Sequence, residues 1–185
     1  MDPLKLDVAE LASEAGEAAG QWPLATLSRL AESALSHETP DAQVNWHIRG
    51  ESRPVAGGPA EIWLHVAADV RLALCCQRCL GPVLETVGVD TALRFVAGEN
   101  QAAALDAESE DDVLALERTL NLQTLIEDEL LLVLPLVPRH DVCPTPFPLP
   151  SDTPEEELKP NPFAALAQFK KKGGTGGQGG GAAGA

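Results

Sequence analysis

The apolar residues in the first part of the chain follow helical spacing. Leu11, Ala15, Ala18 and Ala19 form a weak stripe, and a clearer one follows Pro23, formed by Leu24, Leu27, Leu30, Ala31 and Leu35. Proline suits the first turn of a helix because its fixed φ is already helical. Residues 7–35 are therefore predicted to be helical, and the turn Thr39-Pro40-Asp41 ends this region.

From residue 44 the hydrophobic period changes to two. Three runs of apolar residues alternate with polar ones: Val44, Trp46 and Ile48; then Ile62, Leu64, Val66, Ala68, Val70, Leu72 and Leu74; then Val83, Val87, Val89, Leu93 and Phe95. This alternation predicts an antiparallel sheet with one solvent-exposed face. The CCQRC segment (75–79) lies between the last two runs and is predicted to join them as a hairpin.

The remaining pattern predicts a loop, a short strand and one helix. Residues 97–112 are rich in alanine and acid and indicate an exposed loop, and 113–116 indicate a short strand. Asn121 is a credible N-cap for a helix that ends at Pro135. Its predicted buried stripe consists of Leu122, Leu125, Ile126, Leu130, Val133 and Leu134.

These elements predict an α+β fold with N-terminal, central and C-terminal helices and a curved antiparallel sheet that approaches a small barrel. Residues 1–143 are expected to form a single globular domain. A linker rich in proline and acid (144–160), a short amphipathic helix with a basic end (161–172) and a disordered Gly/Ala tail (173–185) are expected to follow.

Charge restricts the partners of this 185-residue chain, because its formal net charge is −15. Proteins that bind nucleic acid through phosphates need a basic surface, so little direct RNA binding is expected. Only the cluster 170–172 offers a small local contact. An acidic run consists of Glu108, Glu110, Asp111 and Asp112. It either keeps an exposed loop soluble or attracts a basic protein partner.

The start of the chain lacks the basic and apolar regions of a signal peptide. The longest apolar run, 130–137, is interrupted by Pro135 and is too short to span a bilayer. We therefore expect a cytoplasmic protein without membrane contact. Its four cysteines are then expected to be reduced thiols or metal ligands rather than disulfides.

Two pairs of residues have the spacing of zinc ligands. Cys76 and Cys79 form one pair, and His140 and Cys143 form the other. Together they offer the four soft or borderline ligands of a structural zinc site, with Cys75 as a spare thiol. The alternative is a turn with buried, inert thiols and a surface histidine. The sequence does not decide between them because the pairs lie about sixty residues apart.

Catalysis is not expected. Glu127, Asp128 and Glu129 are adjacent on a predicted helix, so their side chains diverge by about 100° per residue and do not converge on one ion. Of the three, Glu129 is expected to be partly buried and bonded to a neighbour. The chain has no GxSxG motif or phosphate-binding glycine loop. Trp46 and Trp63 are interpreted as packing residues in preference to base-stacking platforms.

Three blocks resemble a known family. CQRCLGPV (76–83), LIEDELLLVLPLVPRHDVC (125–143) and KPNPFAALAQFK (159–170) occur in the order and spacing typical of the YceD family, the large ribosomal RNA subunit accumulation proteins of bacteria. The resemblance implies a non-enzymatic ribosome-biogenesis factor that supports the synthesis, processing or stability of 23S ribosomal RNA. The competing interpretation is a zinc-stabilised protein-binding module unrelated to ribosome assembly.

The third block also contains the predicted partner-binding segment. A short helix after a proline-rich linker either packs on its own domain or docks on a partner, and its inclusion in the resemblance favours docking. The expected partners are ribosome-assembly proteins or pre-large-subunit particles. The candidate contact residues are Asn161, Pro162, Phe163, Leu166, Phe169 and Lys170.

Overall fold

The computed structural model describes residues 2–144, which form nine regular elements in addition to short 3-10 turns. Their order is α1 (Val8–Ser13), β1 (Glu17–Pro23), α2 (Ser28–Ser33), β2 (Gln43–Arg53), β3 (Glu61–Cys75), β4 (Pro82–Val96), α3 (Glu99–Asp106), β5 (Asp112–Ala115) and α4 (Leu122–Leu132). The α+β class is as predicted.

The five strands form one sheet in chain order, β1-β2-β3-β4-β5. The longest pairing is the β3–β4 hairpin, whose register runs from Ile62 opposite Phe95 to Cys75 opposite Pro82. This confirms the predicted turn at CCQRC. The alternation in β2 is confirmed as well, because Val44 and Ile48 are fully buried while His47 between them is exposed.

The sheet is mixed and open, so the purely antiparallel, barrel-like expectation was wrong. β5 pairs parallel to β4, from Leu93 opposite Asp112 to Val96 opposite Ala115. A parallel partner requires a crossover, and α3 supplies it between the two strands. Within residues 2–144, β1 and β5 are the two edges and do not pair with each other.

The helical prediction for residues 7–35 was wrong in its middle part, because β1 lies between helices α1 and α2. This strand pairs antiparallel with β2, and Trp22 stacks on Trp46 with ring centroids 4.8 Å apart. Between α1 and β1, Ala15 adopts a positive φ of 49°, so the chain does not continue in the right-handed helical conformation. The weak alanine stripe had helical spacing, but pairing with β2 outweighed that local preference.

The segment 97–112 contains helix α3, whereas a loop was predicted. Alanine has the highest helix propensity, and Ala102 is buried on this helix. The carboxylate of Asp106 accepts a hydrogen bond from the Val113 amide (3.2 Å), which ties the end of α3 to β5. The acidic residues 108 and 110–112 that follow α3 are exposed, as expected.

Helices α1, α2 and α4 cover one face of the sheet and enclose the core. The fully buried helical and connecting residues include Leu6, Val8, Leu27, Leu30, Leu122, Ile126 and Leu130, and they meet Val44, Ile48, Leu64, Val66, Val70 and Leu72 of the sheet. Asn121 caps α4 as predicted, accepting from the amides of Gln123 (3.1 Å) and Thr124 (3.2 Å).

Helix α4 ends at Leu132, earlier than predicted. Val133, assigned to the buried stripe, is 43% exposed, and the chain has already left the helix before Pro135. None of the helices in residues 2–144 has the length and apolar character needed to cross a bilayer. The predicted linker beyond residue 144, the predicted helix 161–172 with its partner-binding residues and the predicted tail 173–185 lie outside the described residues.

Candidate metal centre

The turn between β3 and β4 positions the first pair of candidate ligands. The Cys76 amide donates to the Gly81 carbonyl (2.9 Å), and the Leu80 amide donates to the Cys76 carbonyl (2.9 Å). Leu80 adopts the left-handed region, with a φ of 61°, which reverses the chain. These bonds hold Cys76 and Cys79 on the same tight loop at the end of the hairpin.

The segment that leaves α4 brings the second pair to the same place. The Gln77 amide donates to the Pro138 carbonyl (2.8 Å), and His140 Nε2 donates to the Pro82 carbonyl (3.0 Å). The two halves of the predicted zinc set, distant in sequence, are therefore adjacent in the fold.

Four potential ligand atoms converge at this point. The Sγ atoms of Cys76, Cys79 and Cys143 and one ring nitrogen of His140 all lie within 4.8 Å of one another. Cys76 Sγ is 4.0 Å from Cys143 Sγ, and Cys79 Sγ is 3.5 Å from His140 Nδ1. Tetrahedral zinc with bonds of about 2.1–2.3 Å separates its ligand atoms by about 3.4–3.8 Å. The four atoms thus need only a small contraction to surround such an ion.

The hydrogen bond at His140 selects the nitrogen that faces the sulfur atoms. A carbonyl oxygen only accepts, so the bond to Pro82 keeps the proton on Nε2. The lone pair is then on Nδ1, which is the nitrogen beside Cys79. A backbone carbonyl that fixes the tautomer of a ligating histidine is a common support of metal sites.

The thiols of Cys76 and Cys143 are shifted in opposite directions. Burial opposes ionisation of Cys76, but the amides of Cys79, Arg78 and His140 donate to its sulfur and lower its pKa to about 5. Burial raises the pKa of Cys143, and the thiols of Cys79 and Cys76 raise it further. The backbone therefore favours a thiolate at Cys76, the ionisation state that metals bind. Cys75 lies outside the four-ligand group, with its Sγ 3.6 Å from the Leu80 carbonyl.

The most buried carboxylate of α4 is Glu127, which was not predicted, although Glu129 is partly buried as expected. Glu127 is 7% exposed. Its Oε1 accepts from the amides of Arg29 (2.7 Å) and Leu30 (3.1 Å), and the Arg29 guanidinium bonds its Oε2 (2.9 Å). The predicted stripe residues Leu122, Ile126 and Leu130 are fully buried, and Glu127 lies beside them on the side that faces the start of α2.

Glu129 and Asp128 differ from Glu127 in their surroundings. Asp128 accepts from the same Arg29 guanidinium while half exposed. Glu129 is partly buried, and burial first, then the charges of Asp112 and Asp128, raise its pKa. Glu127 and Asp128 thus share the Arg29 guanidinium, whereas the surroundings of Glu129 are mainly other acids.

A charged cluster on the exposed face of the sheet was not predicted. Glu51 Oε1 accepts from Arg53 Nε (3.0 Å), and Glu51 Oε2 lies 2.7 Å from His65 Nε2. Arg53 and then His65 lower the pKa of Glu51 to about 2. Arg53 also lies over the Trp63 ring, 4.1 Å from its centroid. Trp63 and Trp46 are both buried, which agrees with their predicted packing role.

Comparison with known proteins shows similarity to a family model and to known relatives. The family model described as "Large ribosomal RNA subunit accumulation protein YceD" matches residues 64–170, more than half of the chain. A protein of Haemophilus influenzae with the same description is 33% identical over 177 residues, which are 92% of this chain and 97% of that protein. No solved structure gives a significant match.

Proposed function

The chain belongs to the YceD family of large ribosomal RNA subunit accumulation proteins, and from this premise we propose that it supports the synthesis, processing or stability of 23S ribosomal RNA. In this proposal it acts in the cytoplasm, without catalysis, through contacts with ribosome-assembly proteins or pre-large-subunit particles. The observation that carries the proposal is the extent of the match to the Haemophilus influenzae relative, which spans 92% of this chain and 97% of that protein. A match over almost the whole length of both chains favours a shared role more than a match to one module does.

Protein contacts are favoured over RNA contacts by the charge. A formal charge of −15 repels phosphates, and the exposed acids after α3 strengthen that repulsion locally. Exposed apolar side chains flank the candidate metal centre: Leu80 is 67% exposed, Leu136 99% and Val142 85%. Such side chains suit an apolar protein surface.

In this proposal the protein is not an enzyme, and the engagement of two of the three acidic residues of α4 supports this. Both oxygens of Glu127 accept hydrogen bonds from Arg29 or Leu30, and Asp128 pairs with Arg29. Their lone pairs are used for structure, so they are poorly placed to bind a catalytic ion or a proton of a substrate.

The test is a deletion strain complemented with the full chain. We expect the ratio of precursor to mature 23S ribosomal RNA to rise on deletion and to return on complementation. We also expect the full chain to co-sediment with pre-large-subunit particles. An unchanged ratio together with no co-sedimentation would overturn the proposal.

A second experiment tests the predicted docking segment 161–172. Removing it is expected to leave the melting temperature nearly unchanged and to abolish co-sedimentation. A large fall in melting temperature would instead make the segment part of the folded domain. The matched control removes residues 174–185, which contain only Gly, Ala, Thr and Gln, and is expected to retain association.

A further inference from the structure

We propose that Cys76, Cys79, His140 and Cys143 bind a single Zn²⁺ ion, and that this ion fastens the segment after α4 to the β3–β4 turn. The inference is independent of the proposed role in ribosome biogenesis. It rests on the convergence of four ligand atoms within 4.8 Å and on the backbone bonds that orient them.

The donor set identifies the metal. Three sulfur atoms and one imidazole nitrogen favour Zn²⁺ over Mg²⁺ or Ca²⁺, which prefer oxygen ligands. All four positions of a tetrahedron are supplied by the protein, so the site is of the structural kind, with no open position for a substrate. Binding displaces the thiol protons, and three thiolates with one dication leave a single negative charge.

The burial and hydrogen bonds of the four ligand residues suit a preorganised metal site. Cys76 is fully buried and belongs to the hydrophobic core cluster, while Cys79 and Cys143 pack against it. His140 presents Nδ1 to the sulfur atoms because Nε2 donates to the Pro82 carbonyl. Cys75, the neighbouring thiol, bonds the Leu80 carbonyl and takes no part. The fold therefore discriminates between adjacent cysteines.

The structural consequence concerns the segment 133–143. Its apolar residues are mostly on the surface, with Leu136 99% and Val142 85% exposed, so hydrophobic burial contributes little to its attachment. The hydrogen bonds to Pro138 and from His140 join it to the hairpin. A metal ion bound to Cys76 and Cys79 of the turn and to His140 and Cys143 of the segment would add strong bonds between the two. It would fix in place residues that hydrogen bonds alone hold weakly.

Metal analysis of the full chain, purified under reducing conditions, tests the inference directly. We expect about one zinc per chain, retained by the matched control Cys75→Ser and at least tenfold reduced in Cys143→Ser and His140→Ala. Both substitutions lie outside the sheet, which guards against loss of folding. Cobalt replacement is expected to give the visible spectrum of a tetrahedral ion with thiolate charge-transfer bands.

The unsubstituted chain provides a second readout. After chelation, hydrogen exchange is expected to accelerate in residues 133–143 and 76–81 while β2 stays protected. Zinc-free protein that takes up no added Zn²⁺ or Co²⁺ would overturn the inference. Equal zinc loss in Cys75→Ser, or a Cys76–Cys143 disulfide in protein isolated with thiols blocked, would do so too. None of these results depends on ribosomal RNA, so they leave the proposed function to its own test.

Discussion

Glu127 acts as an N-terminal cap for a helix other than its own. Helix α2 begins after Leu27, whose apolar side chain cannot accept from the free amides of the first turn. Glu127 of α4 accepts from two of those amides, Arg29 and Leu30. The same carboxylate bonds the Arg29 guanidinium, so one buried side chain fastens α2 to α4. Neither helix alone reveals this role in its sequence.

Glu127→Gln is expected to lower the free energy of unfolding at neutral pH by about 1–3 kcal/mol. The amide loses the charge that strengthens the hydrogen bonds to Arg29, and its NH₂ group opposes other donors. Urea denaturation provides the measurement. Asp128→Asn is the matched control, because it changes the same contact with Arg29 at a half-exposed position, and its effect should stay under about 1 kcal/mol. Equal losses in the two variants would contradict the capping role.

The stability difference between the native chain and Glu127→Gln is expected to depend on pH. Burial alone would raise the pKa of Glu127, but the Leu30 amide and the Arg29 guanidinium and amide outweigh it and lower the pKa. A lowered pKa stabilises the fold above the unfolded value of about 4.3, and this contribution is lost as the pH falls through the folded value. Denaturation at a series of pH values should therefore show the difference at neutral pH and its decline in acid. A constant difference would refute the assigned ionisation.

Gly20 leaves room for the Trp46 ring at the pairing of β1 with β2. A Cβ atom added there would lie 2.6 Å from Cζ2 and 2.9 Å from Cε2 of Trp46. Gly20→Ala is therefore expected to displace the ring and lower stability by about 1–3 kcal/mol, with a change in tryptophan fluorescence. At Gly88 of β4 the nearest atom is 3.4 Å away. Gly88→Ala should therefore leave both the stability and the fluorescence nearly unchanged, and equal effects would argue against this packing.

At the scale of elements, the long strands and the short strand β5 were predictable, but β1 was not. β2, β3 and β4 each place one face in the core along most of their length. Their buried residues therefore alternate with more exposed ones in the sequence, as Val44, Trp46 and Ile48 do in β2. β1 is half-buried on its inner face and contains no fully buried residue. Its structure depends on pairing and on the Trp22–Trp46 stack, which are tertiary effects.

The candidate metal centre was predictable in composition but not in assembly. The x2 spacing identified both pairs, since a tight turn orients residues three apart toward one point. Whether the pairs meet depends on where α4 ends and on the path from Leu132 to Pro138, where the Gln77 amide is bonded. That path is set by packing of the whole domain and has no local signature.

The start of α4 gives a prediction at this scale. Asn121 accepts from the amides of Gln123 and Thr124, so Asn121→Ala is expected to cost about 1 kcal/mol by urea denaturation. Asn121→Asp and Asn121→Ser retain a capping oxygen and should recover most of this loss. If all three variants are equally unstable, the side chain has another role than capping.

At the scale of the whole molecule, negative charge restricts which surfaces the protein approaches. Electrostatic attraction accelerates association with an oppositely charged partner, and salt weakens it. The exposed acids at 108 and 110–112 are four adjacent or nearly adjacent charges that follow α3 and end at the first residue of β5. In the proposed function they attract a basic protein of a pre-large-subunit particle.

Neutralising that run tests whether its position matters beyond the total charge. The variant carries Glu108→Gln, Glu110→Gln, Asp111→Asn and Asp112→Asn, and its control carries Glu10→Gln, Glu14→Gln, Glu32→Gln and Glu38→Gln at exposed sites. Both lose the same formal charge. If the acidic run steers a basic partner, only the first variant should co-sediment severalfold less with pre-large-subunit particles at low ionic strength, and moderate salt should reduce the difference. If both variants lose association equally, net charge alone is responsible, and if neither does, the run serves only solubility.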